Sequence, residues 1–188
     1  MFRARPDANP SIDEADLALV QKTLAGDDAA FQELMQKYQR RIFRICYRIT
    51  GSAAAAEDAA QEAFVRAYFA LKRFDQSRPL LPWLVRIAVN RAISTAARES
   101  SYVALPESFS ETPAREQEEA ARSAELARSA AEAVAALPPK LRVVLTLRVF
   151  EELSYHEIAE TLKISIGTVM SRLSRGRERI RDKLRGLL

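Results

Sequence analysis

The densest run of arginine in the chain lies close to its C-terminal end. Lys and Arg number eight between residues 163 and 188, against two Asp and Glu. Apolar residues recur in the same stretch at steps of three and four, which predicts a helix with one buried stripe. These residues are Val169, Leu173, Gly176, Ile180 and Leu184. Guanidinium groups form paired hydrogen bonds with guanine edges and with phosphates, so nucleic-acid binding is the chemistry expected of this helix.

The side chains opposite the buried stripe are small or cationic. At about 100° per residue they point to solvent, and they are Gly167, Thr168, Ser171, Ser174 and Arg175, with Arg172 beside them. Small residues let the helix backbone approach a duplex, and a helix N-terminus favours anions. This face is therefore suited to a DNA major groove. The alternative is an amphipathic helix that only packs on a neighbouring element.

The residues before this helix predict a second, shorter helix and a tight turn. Ser154 and Glu157 have the spacing of a capping box, in which each side chain binds a backbone N–H at the start of a helix. Lys163 and Ile164 form the turn, and Ser165 can cap the helix that follows. Together these signals predict a helix-turn-helix.

The composition is typical of a globular chain that can build two small cores. The sequence has 188 residues, of which 48% are hydrophobic, and its net charge is +4. The charge is uneven, because residues 21–98 carry +6, residues 99–132 carry −5 and residues 133–188 carry +5. Two basic blocks joined by an acidic segment predict two separate contacts with a polyanion.

The sequence offers little for catalysis or membrane insertion. It has one His and one Cys, and Cys46 falls within an apolar helical pattern, which favours a core position. We find no Gly-rich phosphate loop, no signal peptide and no apolar run long enough to span a membrane. A cytoplasmic protein without cofactor, metal or enzymatic activity is therefore expected.

Helical periodicity fills most of the chain, and no segment has the alternation of a strand. The expected fold class is all-α, with two small helical domains joined by a flexible linker. The expected boundaries are 12–98 for the first domain, 99–115 for the linker and 116–188 for the second domain. The linker is predicted from its serine, proline and acidic residues. The second domain contains the helix-turn-helix.

Start and stop signals divide the first domain into helices. The first helix is predicted over 13–24, the expected N-caps of the next two helices are Asp27 and Ser52, and Gly51 is expected to end the second helix. The third helix is predicted over 53–71, with Tyr68 among its inward residues. A loop over 74–80 then precedes a helix with Pro82 in its first turn.

Five segments, in this order, resemble the bacterial sigma factors of the extracytoplasmic-function group, which are dissociable specificity subunits of RNA polymerase. The segments are DDAAFQELMQKYQRRIFRICYRITG, AEDAAQEAFVRAYFAL, PWLVRIAVNRAI, LPPKLRVVLTLRVFEELSYHEIAE and IGTVMSRLSRGRERIRDKL. The resemblance spans about residues 16–186. Five segments in the same order are more specific than any one of them alone.

The resemblance implies a division of labour between the two domains. The first domain would bind core RNA polymerase and open the promoter's minus-ten element, with the third helix against the polymerase clamp helices. The second domain would meet the polymerase flap and read the minus-thirty-five element as duplex. The implied polymerase-binding residues are Glu57, Asp58, Gln61 and Glu62. Acids at a helix start also stabilise the helix dipole, which is the alternative for Glu57 and Asp58.

The resemblance also assigns DNA-binding residues. At the minus-ten element they are Asn90, whose amide can donate to and accept from an unpaired base, and Arg86, Arg91 and Arg78 for phosphates. At the minus-thirty-five element they are Thr168, Ser171, Arg172 and Arg175. Trp83 could stack on a base, but its spacing favours core packing.

Regulation is implied in the same way. The resemblance implies an anti-sigma factor as a partner and a response to stress or to an envelope signal. The acidic linker is either a solvated tether or a segment that enters a basic channel of the polymerase through Glu107, Glu111 and Glu116.

Two other function classes share some of these features. A repressor or a response-regulator output domain could contain the helix-turn-helix, but the first hundred residues lack the strand–helix alternation of a receiver domain. A Mg²⁺-dependent nuclease could use Glu57, Asp58 and Glu62. Adjacent residues on a helix diverge by about 100°, which disfavours that site.

Overall fold

The computed structural model describes residues 12–98, 125 and 128–185, and all regular secondary structure in those ranges is helical. The elements are α1 (Glu14–Leu24), α2 (Asp28–Thr50), α3 (Ala53–Ala70), a 3-10 turn (Leu71–Arg73), α4 (Leu80–Arg98), α5 (residues 128–135), α6 (Pro139–Val149), α7 (Tyr155–Leu162) and α8 (Ile166–Leu184). The expected all-α class is confirmed. We call residues 12–98 the N-terminal unit and residues 128–185 the C-terminal unit.

The expected caps Asp27 and Ser52 start α2 and α3, whereas Asp13, expected as the first residue of the first helix, is the N-cap of α1. The side chains of Asp13, Asp27 and Ser52 accept hydrogen bonds from backbone N–H groups two or three residues later, the shortest at 3.0 Å. Gly51 ends α2 with a φ of 77°, which glycine adopts without steric cost. These local signals therefore set the starts of α1, α2 and α3 and the end of α2.

The core of the N-terminal unit lies between α2, α3 and α4. The buried residues of α3 are mostly alanine, namely Ala55, Ala56, Ala59, Ala60, Ala63 and Ala67. Small side chains let the neighbouring helices approach, and those helices supply the large residues, such as Ile42, Ile45 and Val89. Cys46 is fully buried in this core, as expected, and burial raises the pKa of its thiol to about 12.

The end of α3 differs from expectation in two details. The helix stops at Ala70, and the 3-10 turn that follows keeps Leu71 buried. The prediction that Tyr68 points inward is wrong, because 38% of the residue is exposed. A phenol requires a hydrogen-bond partner, and the Tyr68 hydroxyl donates to Asp28 at 2.7 Å at the edge of the core.

A buried carboxylate joins α1 to α2. Asp16 is 3% exposed and accepts hydrogen bonds from Lys37 Nζ at 2.6 Å and from the Tyr38 hydroxyl. Burial, together with the hydrogen bond to Asp16, raises the pKa of Tyr38 to about 12. Since both hydrogen bonds come from α2, they hold α1 in place.

The C-terminal unit is built around α6. Its buried residues Leu141, Val144, Leu145 and Leu147 pack beneath α7 and α8. Gly176 lets α8 approach α6 closely, since an added Cβ there would lie 2.6 Å from Leu145 Cδ1. The linker predicted over 99–115, with Glu107 and Glu111, and Glu116 at the start of the predicted second domain lie outside the described residues.

The two units also contact each other, which the sequence did not indicate. Glu151, whose side chain is 3% exposed, accepts a hydrogen bond from Arg41 Nε at 2.8 Å. Arg142 donates to the Ile49 carbonyl at 3.2 Å. The Arg48 guanidinium also lies over the Phe150 ring, 3.9 Å from its centroid. These contacts place α2 against α6 and the loop that follows it.

Candidate nucleic-acid and protein interfaces

Hydrogen bonds at two helix starts fix the orientation of α8. The Ser154 hydroxyl accepts from the Glu157 N–H at 3.2 Å, and the Glu157 carboxylate accepts from the Ser154 N–H at 2.7 Å. The predicted capping box is therefore confirmed. Lys163 reverses the chain with a left-handed φ of 53°, and Ser165 then caps α8 through the Thr168 N–H at 3.1 Å. The turn is short and capped, so α8 has a defined position.

Two parallel rows of side chains form the exposed surface of α8. The first, which we call the polar row, contains Thr168, Ser171, Arg175 and Glu178. The second, the methionine row, contains Gly167, Met170, Ser174 and Arg177. Residues in a row are three or four apart and lie on one face of the helix. All are exposed except Thr168, which is half-buried.

Arg172 lies beside the polar row rather than in it. Its side chain is half-buried and lines a groove of about 630 Å³ between the start of α6 and α8, together with Lys140 and Arg179. Thr168 and Arg175 border the same groove. Of the four predicted minus-thirty-five residues, the structure thus places three in one row and the fourth next to it.

The central arginines of α8 have no acidic partner in the described part of the chain. The ion pair on this helix joins Arg185 to Asp182 at 3.9 Å, near its end. Arg175 Nε donates to the Ser171 carbonyl at 3.3 Å, which orients its side chain without neutralising it. The charges of Arg175 and Arg177 therefore remain available to an external anion.

The outer surface of α3 carries the predicted polymerase-binding residues. Glu57, Asp58 and Gln61 are exposed, and Glu62 is half-buried. Glu57 and Asp58 follow the first turn of α3, which contains no acid, so stabilisation of the helix dipole does not account for them. The structure therefore brings all four predicted residues to one side of α3.

Glu62 is engaged by two arginines. One carboxylate oxygen accepts from Arg66 at 2.9 Å and the other from Arg91 at 2.5 Å. The hydrogen bond from Arg66, assisted by that from Arg91, holds the pKa of Glu62 below its ordinary value. The Arg91 side chain, predicted to meet phosphates, is only 13% exposed. Both residues thus have a partner within the N-terminal unit.

Two exposed apolar residues extend the same surface of α3 and were missed from the sequence. Val65 is 55% exposed and Phe69 is 76% exposed. The spacing along Asp58, Glu62, Val65 and Phe69 is four, three and four residues, so these side chains form one row on the helix. The sequence contained a signal for them, because helical periodicity places Val65 and Phe69 on the side of α3 opposite its buried alanines. Neighbouring exposed apolar side chains are typical of a protein interface.

The predicted minus-ten residues differ in their accessibility. Asn90 is exposed on α4, and Arg78 is 71% exposed while it pairs with Asp75 at 3.4 Å. Arg86 instead donates to the Glu160 carbonyl of the C-terminal unit at 2.9 Å. Asn90 and Arg78 thus face solvent, although Arg78 has an ion-pair partner in Asp75, whereas Arg86 and Arg91 are held by partners distant in the sequence.

Trp83, at the start of α4, packs against the core. Its ring contacts that of Phe74, with 5.1 Å between the centroids, and the residue is half-buried. The expectation that Trp83 serves core packing is confirmed.

The described ranges contain no candidate metal centre. No group of three or more His, Cys, Asp or Glu side chains in them could hold a metal ion. At the carboxylates considered for Mg²⁺, both oxygens of Glu62 are already bound by arginine. Within the same residues, no helix is both long and apolar enough to cross a lipid bilayer.

Each of the two units matches a known protein family. The Sigma-70 region 2 family matches residues 34–102, and the Sigma-70 region 4 family matches residues 127–180. The ECF RNA polymerase sigma factor SigW of Bacillus subtilis is 36% identical over 179 residues, which cover 89% of this chain and 96% of SigW. This chain belongs to the extracytoplasmic-function (ECF) sigma factors of the sigma-70 family.

Other relatives agree with this assignment. The RNA polymerase sigma-H factor of Pseudomonas aeruginosa is 37% identical to this ECF sigma factor over 186 residues, covering 93% of this chain and 96% of the relative. A sigma factor acts with RNA polymerase in transcription initiation and is not by itself a catalyst. The repressor and nuclease interpretations are therefore set aside.

Solved structures share the fold. CnrH, in complex with the cytosolic domain of CnrY, matches with a TM-score of 0.65 and 24% identity, over 92% of this chain and 98% of CnrH. The sigma factor RpoE of Bartonella quintana, in complex with the anti-sigma factor NepR, matches with a TM-score of 0.61 and 21% identity, over 82% of this chain and 96% of RpoE.

Proposed function

We propose that this ECF sigma factor binds core RNA polymerase and directs promoter-specific initiation by recognising minus-ten and minus-thirty-five elements. The observation that carries the proposal is the contrast between two exposed helical surfaces. The surface of α3 combines acids with Val65 and Phe69, whereas α8 combines small residues with arginines that have no acidic partner in the described part of the chain. The first combination suits a protein partner and the second suits DNA.

Polymerase binding is assigned to α3, with the clamp helices as the partner. Glu57, Asp58 and Gln61 provide charge and hydrogen bonds, and Phe69 provides the largest exposed apolar side chain of the surface. Anchoring by a few aromatic residues within a polar rim is common in protein interfaces. Glu62 contributes through its ion pairs with Arg66 and Arg91. The C-terminal unit binds the polymerase flap.

Minus-thirty-five recognition is assigned to α8, which enters the major groove. Ser171 and Thr168 are short enough to let the helix approach, and Arg175 reaches a base edge beyond them. Arg172 contacts the same DNA from the groove between α6 and α8. Support comes from their adjacency and from the absence of acidic partners for these arginines within residues 128–185.

Minus-ten recognition is assigned to α4 and the loop before it. Asn90 binds an unpaired base and Arg78 binds a phosphate, since both are exposed. Arg86 and Arg91 also bind phosphates, after they give up their present partners, the Glu160 carbonyl and the Glu62 carboxylate. Because the partner of Arg86 is the Glu160 carbonyl, this step requires Arg86 to give up its contact with the C-terminal unit.

The proposal includes control by an anti-sigma factor in a stress or envelope-signal response, with action in the cytoplasm. It also includes the division into domains at 12–98, 99–115 and 116–188. Support for an anti-sigma partner comes from RpoE of Bartonella quintana, whose structure was solved with the anti-sigma factor NepR. A partner that covers α3 would compete with polymerase.

In vitro transcription tests the proposal. Core RNA polymerase is incubated with genomic DNA fragments of the organism that encodes the chain, with and without the purified chain, and RNA 5′ ends are mapped. We expect a set of defined start sites only when the chain is present. Start sites that do not depend on the chain, or repression by the chain alone, would contradict the proposal.

A further inference from the structure

Met170 is an exposed apolar residue in the middle of a polar surface. It is 54% exposed, more than Phe150 at 43% or Val149 at 40%, the other large exposed apolar residues of the C-terminal unit. Phe150 is covered on one side by Arg48, whereas Met170 belongs to the methionine row of α8. A single apolar side chain among serines and arginines does not form an apolar patch for a protein partner.

The neighbours of Met170 make its side chain protrude. Gly167 precedes it by three residues and Ser174 follows it by four, so both lie along the same edge of α8. A Cβ added at Gly167 would meet only the Ser165 hydroxyl, at 3.9 Å, so the space beside it is open. Within the methionine row, Met170 is therefore the large side chain that faces solvent in the N-terminal half of the helix.

Met170 and Arg175 flank a strip of small residues. Gly167, Ser171 and Ser174 form the strip. At about 100° per residue, Met170 and Arg175 lie roughly 140° apart around the helix axis, one on each side of it. If the strip faces the floor of a major groove, the two flanking side chains reach base edges on either side of it.

The chemistry of these two side chains selects different bases. Arg pairs with the guanine acceptors, whereas the thymine C5-methyl is the apolar group that distinguishes a base in the major groove. Met is unbranched and polarizable, so its side chain can adapt to pack against a methyl group. We infer that Met170 contacts a thymine methyl in the minus-thirty-five element and determines specificity there. This inference rests on the proposed reading of that element by α8.

Base substitution in the DNA tests the contact directly. Holoenzyme assembled from core polymerase and the wild-type chain selects its preferred upstream duplexes from a randomised library, and each thymine is then replaced by deoxyuridine, which lacks the methyl. We expect one thymine whose replacement weakens binding about four-fold, the value of one buried methyl group. Met170→Ala should abolish this effect, and Met170→Leu should retain it.

Two control variants separate the possible outcomes. Val149→Ala truncates another exposed apolar residue of the same unit and should retain the methyl effect, and Arg175→Ala should change the preference at a different base pair. A methyl effect that survives in Met170→Ala would overturn the inference, as would a loss of polymerase affinity with unchanged DNA preference. If wild-type holoenzyme has no upstream preference at all, the proposed function of α8 fails, and the Met170 contact fails with it.

Discussion

The helices α3 and α8 are built alike but present opposite chemistry. They have 18 and 19 residues, and each begins at a serine cap and buries one face. The exposed side of α3 carries acids with Val65 and Phe69, whereas that of α8 carries small residues and arginines. The buried faces decide where each helix lies. The exposed rows decide what it can bind.

The two surfaces also differ in how the chain balances their charges. On α3, Glu62 is neutralised by Arg66 and Arg91. In the middle of α8, Arg175 and Arg177 have no such partner among the described residues. A protein interface depends mainly on apolar contact and on complementary charge, whereas the DNA backbone is bound by unpaired cations. The balance of charge within the chain is thus a second indicator of the partner.

The largest effect is expected from reversing the charge of α3. The double substitution Glu57→Lys and Asp58→Lys should weaken binding to core polymerase by roughly 2–4 kcal/mol. Opposite charges that attract each other across the interface would become like charges, and such contacts cost several kcal/mol. Competition with labelled wild-type chain for core polymerase measures the loss. Glu33→Lys, at an exposed position of α2, is the matched control. Unchanged competition by the double variant would remove α3 from the interface.

The corresponding change on α8 should affect DNA and leave polymerase binding intact. Arg175→Ala should weaken holoenzyme binding to its preferred upstream duplex by about 1–3 kcal/mol, the value of a bidentate base contact. The fold should be unaffected because Arg175 is exposed. Binding to scrambled upstream duplexes is measured in parallel. An equal loss on every sequence would mean that Arg175 contacts only phosphate.

A smaller effect is expected from the apolar part of α3. Phe69→Ala should weaken polymerase binding by roughly 1–2 kcal/mol, as expected when an exposed aromatic side chain becomes buried at an interface. Thermal unfolding should change little, since the residue is 76% exposed. Leu24→Ala, at a site 36% exposed on α1, serves as the comparison. If both variants bind polymerase like the wild-type chain, the interface is limited to the charged residues.

The smallest effect is expected at the far end of the methionine row. Arg177→Ala should lower DNA affinity alike on all sequences and reduce the slope of log K against log salt by about one, because one phosphate contact is lost. Titrations of the holoenzyme at several salt concentrations measure the slope. A change in sequence preference with an unchanged slope would make Arg177 a base reader and would blur the distinction between its role and that of Arg175.

Local signals in the sequence predicted the parts of the fold that depend on a few neighbouring residues. The caps at Asp27, Ser52 and Ser165 and the stop at Gly51 are confirmed, since each needs one side chain or one φ angle. The outward face of α8 was predictable for the same reason, because helical periodicity fixes which residues share a side.

Contacts between distant residues could not be predicted in this way. Arg91 binds Glu62 across 29 positions, Arg86 binds the Glu160 carbonyl across 74, and Arg41 binds Glu151 across 110. An exposed arginine and a paired arginine look the same in a sequence. The resemblance therefore assigned Arg86 and Arg91 to phosphates without indicating that each has a protein partner to give up.

The central claim is that α3 serves a polymerase and that α8 reads DNA from the assembled complex. Equilibrium binding of the full chain to core RNA polymerase tests this claim most directly, with circular dichroism of the same sample to establish that the helices are formed. We predict saturable binding that Glu57→Lys with Asp58→Lys weakens and Arg175→Ala leaves unchanged. A helical wild-type chain with no affinity for core polymerase would contradict the account.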